Sequence, residues 1–335
     1  MRSLIIAAMH STSIVPASRF SPRAVGLAAA VVTVLIWTSF IVIARASADP
    51  NRGGTLTPFD IAFCRIFGAG LVLLPWGAWL SRRDHKRGQA SSSLLGLSPL
   101  PVRLTCTIGL FGGLLYALIA YNGFVFAPAL HASVLMPGSL PLWTTLLALW
   151  LLGDRVSAAR ALGLFLIVMG DLMVGGASLL RAFEGGEVWK GDILFMLAAS
   201  SWAMYSVLAR RHALDAVRAT IAVTAFAFVA YVPIYTVLLL AQLVKGQVFL
   251  APWREVLFQT LYQGWGSVVI SGIAFTRMIQ YFGPVRSTMI TALVPGLSAL
   301  GAVLFLGEPL HWNLAAGLAL VTLGILFGVR VGGRP

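Results

Sequence analysis

The residues with chemical potential here are a few ionisable groups inside apolar runs and a larger set of aromatic and amide side chains. Asp171 interrupts the run 161–180. A carboxylate placed that deep in apolar sequence is costly and suits a proton-carrying role in coupled transport, or a hydrogen bond to a neighbouring helix. Arg65 and Arg277 are cations within apolar stretches, suited to substrate contact or gating, or to reaching an interface along their aliphatic stems. Asp60 precedes Arg65 by five residues, about 140° around a helix, so the two do not share a face. His131 opens another run and reads as an interfacial hydrogen-bonding histidine or a pH-responsive one. Glu308 and Asp154 each follow a glycine at the end of an apolar run and read as helix ends or gate partners.

Trp37, Tyr116, Tyr121, Asn122, Trp143, Trp202, Tyr205, Trp265, Gln280 and Tyr281 could wall and anchor a pocket for a partly apolar solute, which needs mainly aromatic surface and few polar groups. Trp202 and Tyr205, three apart, share a helix face. Trp143 and Tyr281, near run ends, fit an interfacial belt equally well. The phosphate loop GxxxxGK[ST] and the signatures HExxH and GxSxG are missing from the sequence, so the expectation is a protein that is not an enzyme and needs no cofactor.

The elements that must position these residues are read from composition. Of 335 residues, 59% are hydrophobic and 10% charged, with mean hydropathy +0.89. Soluble domains carry roughly 25% charged residues. Uncharged runs long enough to cross a bilayer, about 20 residues, recur at 24–44, 104–153, 219–244, 256–276 and 287–307. Shorter or once-interrupted runs lie at 58–80, 161–180, 193–209 and 312–329. Dividing 104–153 at Ala127-Pro128-Ala129 gives ten expected spans in an all-α polytopic membrane protein. Cys64 and Cys106 fall in or beside spans and read as small buried hydrophobes.

The net charge of +13 is sorted by position. Arg2, Arg19 and Arg23 precede the first run; Arg82, Arg83, Lys86, Arg87 and Arg103 follow the second; Arg155, Arg160, Arg210, Arg211, Arg218, Arg286, Arg330 and Arg334 fall on the same side in alternation. The opposite connections hold fewer: Arg45, Arg52, Arg181, Lys190, Lys245 and Arg254. Lys and Arg concentrate on the cytoplasmic side, so both termini are expected there. The basic pI is therefore a topology signal rather than a nucleic-acid footprint. The basic connection 81–103 reads as a solvated linker.

The halves resemble each other. PLWTTLLALWLLGDRV (141–156) and PGLSALGAVLFLGEPL (295–310) align at an offset of 154, which also carries Gly163 to Gly317 and Gly170 to Gly324. Trp37 and Arg45 correspond to Trp202 and Arg210 at an offset of 165, and Phe126-Ala127-Pro128 to Phe282-Gly283-Pro284. Five spans per copy is an odd number, so the copies enter the membrane from opposite sides. Such inverted repeats are characteristic of secondary transporters.

With these residues in view, the chain resembles the drug/metabolite transporter (DMT) superfamily, and within it the EamA-type permeases. The likeness rests on the Pro-containing spans ending LLALWLLGD and LSALGAVLFLGE, the Gly-spaced span after each, the Trp202/Tyr205 start of the sixth span and Arg65 in the second. Gly153-Asp154 departs from the family's usual Gly-Glu, retained at Gly307-Glu308. The resemblance implies two five-helix repeats, at 24–180 and 191–330, joined by a linker at 181–190 and flanked by tails at 1–23 and 331–335. It implies a cavity lined by spans 1, 3, 4, 6 and 8, with span 5 peripheral. It also implies inner-membrane export of small metabolites, often amino acids or amphipathic compounds, with protons as a possible coupling ion, by a monomer or homodimer. A channel, an integral-membrane enzyme or a nucleotide-sugar-type exchanger remain alternatives. The exchanger needs more cavity cations than Arg65 and Arg277, so neutral or zwitterionic solutes are favoured.

Overall fold

The computed structural model describes residues 22–88 and 93–330. Of the tails expected at 1–23 and 331–335, residues 1–21 and 331–335 lie outside them. The described chain is built from helices: α1 (Pro22–Ala48), α2 (Pro58–Lys86), α3 (Val102–Phe126), α4 (Ala129–Leu152), α5 (Ala158–Ala182), α6 (Val188–Arg211) and α7 (Ala216–Leu240), followed by α8, a helical path through Trp253–Gln259, Thr260–Ile270 and Ser271–Thr291, then α9 (Leu293–Leu306) and α10 (Trp312–Arg330). Seven of these, α1 to α7, are long and apolar enough to cross a membrane. Leu293–Leu306 and Trp312–Phe327 are shorter apolar helices. The protein is a multi-pass membrane protein.

The packing is reciprocal. Helix α1 lies against α8 and α9, and α6, its counterpart, lies against α3 and α4. Helix α2 packs on α7 and α8, and α7 packs on α2 and α3. Helices α5 and α10 pack on each other. Each half therefore closes its first two helices against the middle of the other half. The glycines give the sense of the symmetry. A Cβ on Gly170 would lie 2.6 Å from the Gly317 carbonyl oxygen, and one on Gly324 would lie 2.5 Å from that of Gly163. Since Gly163 corresponds to Gly317 and Gly170 to Gly324, the two contacts are images of each other in an antiparallel helix pair. The halves are inverted.

The matched sequence ends fold alike. Gly153 and Gly307 both adopt the left-handed conformation, with φ of 68° and 65°, that a side chain would strain. Each closes its helix with paired backbone bonds: Gly153 N–H to Leu149 and Asp154 N–H to Ala148, then Gly307 N–H to Val303 and Glu308 N–H to Ala302. This is why glycine precedes the acid in both copies. The acids then pair across the halves. Glu308 meets Arg45 at 3.7 Å, with side chains 12% and 25% exposed, and Asp154 meets Arg210 at 2.8 Å, with side chains 26% and 61% exposed. Arg45 and Arg210 are the residues the repeat sets in register, so the bridges are symmetry mates at opposite ends of the molecule.

One expectation is corrected. The sequence places the boundary between its eighth and ninth spans within 277–286, whereas α8 runs through Pro284 to Thr291. The equivalent junction at Ala127-Pro128 does break, because there the Glu308 carboxylate accepts the freed N–H groups of Ala129 and Leu130, both at 2.9 Å. A Cβ on Gly175 or Gly176 would meet nothing within 4 Å, so that glycine pair makes no close helix contact. Gly112 does serve such a contact: a Cβ there would lie 2.6 Å from Tyr205 Cγ.

Candidate functional site

Helix α2 begins with a reciprocal cap. Asp60 N–H donates to the Thr57 hydroxyl, while the Asp60 carboxylate accepts Thr57 N–H at 2.9 Å. That carboxylate is fully buried and also receives Tyr235 OH at 3.0 Å, Gln247 N–H at 2.8 Å and Val248 N–H at 3.1 Å. The cap fixes the start of α2 against α7 and so sets where Arg65 points. Asp60→Asn puts an amide donor among these donors and should lower stability by roughly 2–3 kcal/mol, read as a lower melting temperature in detergent. An unchanged midpoint would remove Asp60 from this role.

Arg65, 8% exposed, is the centre of the site. Its Nη1 donates to Ser267 Oγ at 2.9 Å on α8. Its guanidinium carbon lies 5.6 Å from the Phe40 ring centre on α1 and 5.9 Å from that of Tyr116 on α3, both cation–π distances. From Tyr116 the aromatic surface continues to Trp202 (5.0 Å) and on to Tyr205 (5.1 Å), both on α6. On the other side, Ser271 Oγ donates to the Ser267 carbonyl at 2.8 Å and accepts Trp37 Nε1–H at 3.3 Å. Tyr121 OH donates to Gln263 Oε1 at 2.9 Å, and Tyr121 faces Phe40 at 6.0 Å. The cluster therefore draws on α1, α2 and α3 of one half and α6 and α8 of the other.

The backbone around it is unusual in a matched way. Leu110–Leu115 of α3 and Thr260–Ile270 of α8 are π-helical. Such segments are rare and recur at functional positions. One ends immediately before Tyr116, and the other carries Gln263 and Ser267. The two occupy corresponding helices of the repeats.

Of the residues singled out from sequence, Trp37, Arg65, Tyr116, Tyr121, Trp202 and Tyr205 come together here. Asn122 does not: its Nδ2 donates to the Leu118 carbonyl of its own helix at 2.7 Å. Trp265, 42% exposed, donates to the Gly68 carbonyl at 3.0 Å across the α2–α8 contact. Arg277 is exposed, and the Gln280 side chain lies outside the described residues. His131 Nδ1 meets Asp192 Oδ1 at 2.8 Å, and Ser178 Oγ donates to Asp192 Oδ2, tying α4, α5 and α6 together apart from the Arg65 cluster. Asp171 is buried on α5 with neither carboxylate oxygen hydrogen-bonded among the described residues. Phe40, Gln263, Ser267 and Ser271 were missed. Phe40 had one signal, its alignment with Tyr205 across the repeat; the others are small or amide residues with none.

Reciprocal halves around a polar–aromatic centre define an inverted-repeat membrane protein of the transporter type. The EamA-like transporter family matches residues 24–176 and again residues 189–330, and the chain belongs to that family. It is 29% identical over 197 residues to an uncharacterized transporter of Archaeoglobus fulgidus, a match covering 58% of this chain and 61% of that protein, so the chain spans about three fifths of this relative's length. It is 21% identical over 257 residues to the uncharacterized transporter YyaM of Bacillus subtilis, covering 76% of this chain and 78% of that one. A solved crystal structure with 20% identity superposes with a TM-score of 0.53 over 95% of this chain and 100% of that chain, a likeness of fold.

Proposed function

We propose that the transporter exports small amphipathic metabolites by alternating access, with the Arg65 cluster as its substrate site. The observation that carries this reading is the symmetry-related pair of ion bridges, Arg45–Glu308 and Arg210–Asp154, on either side of a site built from both halves. Opening one bridge while the other holds exposes a central site to one side at a time. In this reading α8, α9 and α10 complete ten crossings. Alternating positive charge sets both termini in the cytoplasm of a bacterial inner membrane, so Arg45–Glu308 closes the outer end and Arg210–Asp154 the inner one. Purified protein in liposomes is expected to exchange radiolabelled solutes from a metabolite panel by counterflow. Absence of counterflow across the panel would sink the proposal.

Asp171 supplies the coupling in the same reading. Buried without a hydrogen-bond partner among the described residues, it sits on α5, away from the substrate cluster. Asp171→Asn should abolish uphill movement driven by an imposed pH gradient while leaving counterflow within about twofold. If the variant retains gradient-driven accumulation, protons do not pass through Asp171.

A further inference from the structure

We infer that the solute carried is a monoanion with a flat aromatic or apolar body, its anionic group seated on Arg65, rather than a zwitterion or a polyanion. The inference rests on the reading of the Arg65 cluster as the substrate site and adds the charge of its occupant.

The charge balance of the site is one-sided. A buried guanidinium is expensive in a membrane and normally pairs with a carboxylate. Arg65 forms no ion pair among the described residues, and every Asp and Glu of the chain falls within the described segments. The acid nearest along the chain, Asp60, is taken up by the cap of α2 and by Tyr235 and the backbone of residues 247 and 248. Asp192 is held by His131 and Ser178, and Glu308 by Arg45 and the start of α4. Against five guanidinium N–H donors, the structure gives Arg65 two neutral hydroxyls, Ser267 and Tyr121, and two ring faces, with no carboxylate.

A second buried donor stands in the same cluster. Gln263 is fully buried, and while its Oε1 accepts from Tyr121, its Nε2 has no partner. Guanidinium and amide N–H together suit two oxygens of a carboxylate or sulfonate. The unpartnered buried acceptors closest along the chain to this cluster are Gln259 Oε1, a turn earlier on α8, and the Thr38 hydroxyl, beside Trp37 on α1. Both are neutral oxygens, adequate for a hydroxyl; an ammonium group there would lie in a site whose only formal charge is positive. A phosphate ester carrying two charges would leave one uncompensated. One cation without a counter-charge, one orphan amide donor and a wall of rings therefore select a single negative charge on an aromatic frame.

Three probes sharing a phenethyl unit test this: 2-phenylethanesulfonate (anion), phenylalanine (zwitterion) and phenethylamine (cation). Each is offered to the full-length protein, in detergent for a melting shift and in liposomes for radiolabelled uptake. The sulfonate should raise the melting temperature and be carried, the other two should do neither, and Arg65→Gln should weaken sulfonate binding at least tenfold. Without ligand, Arg65→Gln should melt no lower than the parent, since it removes an unpaired charge; a merely structural arginine would lower it. Arg65→Lys, which keeps the charge but not the fork, should bind sulfonate with intermediate affinity and covers the case in which the glutamine variant is not recovered. Preference for phenylalanine or phenethylamine would overturn the inference while leaving the transport reading intact. Failure of all three to bind, with counterflow of another solute in the panel, would overturn the charge assignment alone. No counterflow of any solute would overturn both.

Discussion

Gly170→Val should yield far less folded protein than the parent, and what is recovered should melt at a clearly lower temperature. A Cβ at Gly170 would stand 2.6 Å from the Gly317 carbonyl oxygen, 2.7 Å from Val321 Cγ2 and 3.1 Å from Val321 N. Two of these are backbone atoms of α10, which cannot swing aside, so α5 and α10 must separate along their whole contact. Overpacking of this kind costs about 1–3 kcal/mol where side chains can adjust, and backbone contact places the effect at or above the top of that range. Gly317→Val, whose Cβ would stand 2.9 Å from the Gly170 carbonyl oxygen and 2.7 Å from Val174 Cγ2, should match it. Gly175→Val, on the same helix with nothing within 4 Å, should stay within about 0.5 kcal/mol of the parent. Adding Val321→Ala to Gly170→Val should recover only part of the loss, since the Gly317 oxygen remains. Melting curves in one detergent decide the matter, and equal losses for Gly170→Val and Gly175→Val would refute the close α5–α10 contact.

Glu308→Ala should be the most damaging change at either end of the molecule. Its carboxylate accepts two N–H groups at the start of α4 and balances Arg45. Removing it leaves two helix N-terminal donors without their acceptor and a partly buried cation without its counter-charge, though Arg45 keeps its bond to the Phe124 carbonyl, at a cost of roughly 1.5–3 kcal/mol for charge-assisted bonds. Loss of a negative charge at a helix N-terminus adds about 0.3–1 kcal/mol. Glu308→Gln, which keeps one oxygen acceptor, should lose about half as much. The mate at the opposite end behaves differently. Asp154 pairs with an Arg210 that is 61% exposed, and exposed pairs contribute at most about 1 kcal/mol. Asp154→Ala should therefore scarcely move the melting temperature. Ala127→Cys, introduced where the residue is fully buried beside the Pro128 break, should label with an impermeant thiol reagent faster in Glu308→Ala than in Asp154→Ala. Equal rates would show that Glu308 does not hold that end closed.

The candidate site was legible where its residues announce themselves. Arginine in an apolar run is conspicuous because its cost demands a partner or a purpose, and Trp202 and Tyr205 are conspicuous because they repeat Trp37 and Phe40. Ser267 and Ser271 gave no such signal, since a serine in a membrane helix is unremarkable until a guanidinium or an indole is seen beside it. Gln263 and Trp265 show the limit of residue type alone. They are two positions apart and so lie on nearly opposite helix faces; the glutamine is fully buried in the cluster and the tryptophan is 42% exposed, and residue type did not say which of the two faces meets the cluster.

The sequence by itself determined that this chain lives in a membrane, how its charges bias orientation, and that its halves are copies. Run length, alternate-loop charge and the 154-residue offset are properties of the chain in order, written along it without regard to contact. Tertiary structure alone decided which copies meet. Gly163 pairs with Gly324 rather than with its own counterpart Gly317, Arg45 meets Glu308 from the other half, and the Pro128 junction breaks while the one at Pro284 does not. The physical reason is that an inverted duplication fixes each half's internal pattern, whereas backbone approach, the capping of exposed N–H groups and the pairing of a lone buried cation depend on atoms brought together from opposite ends of the sequence.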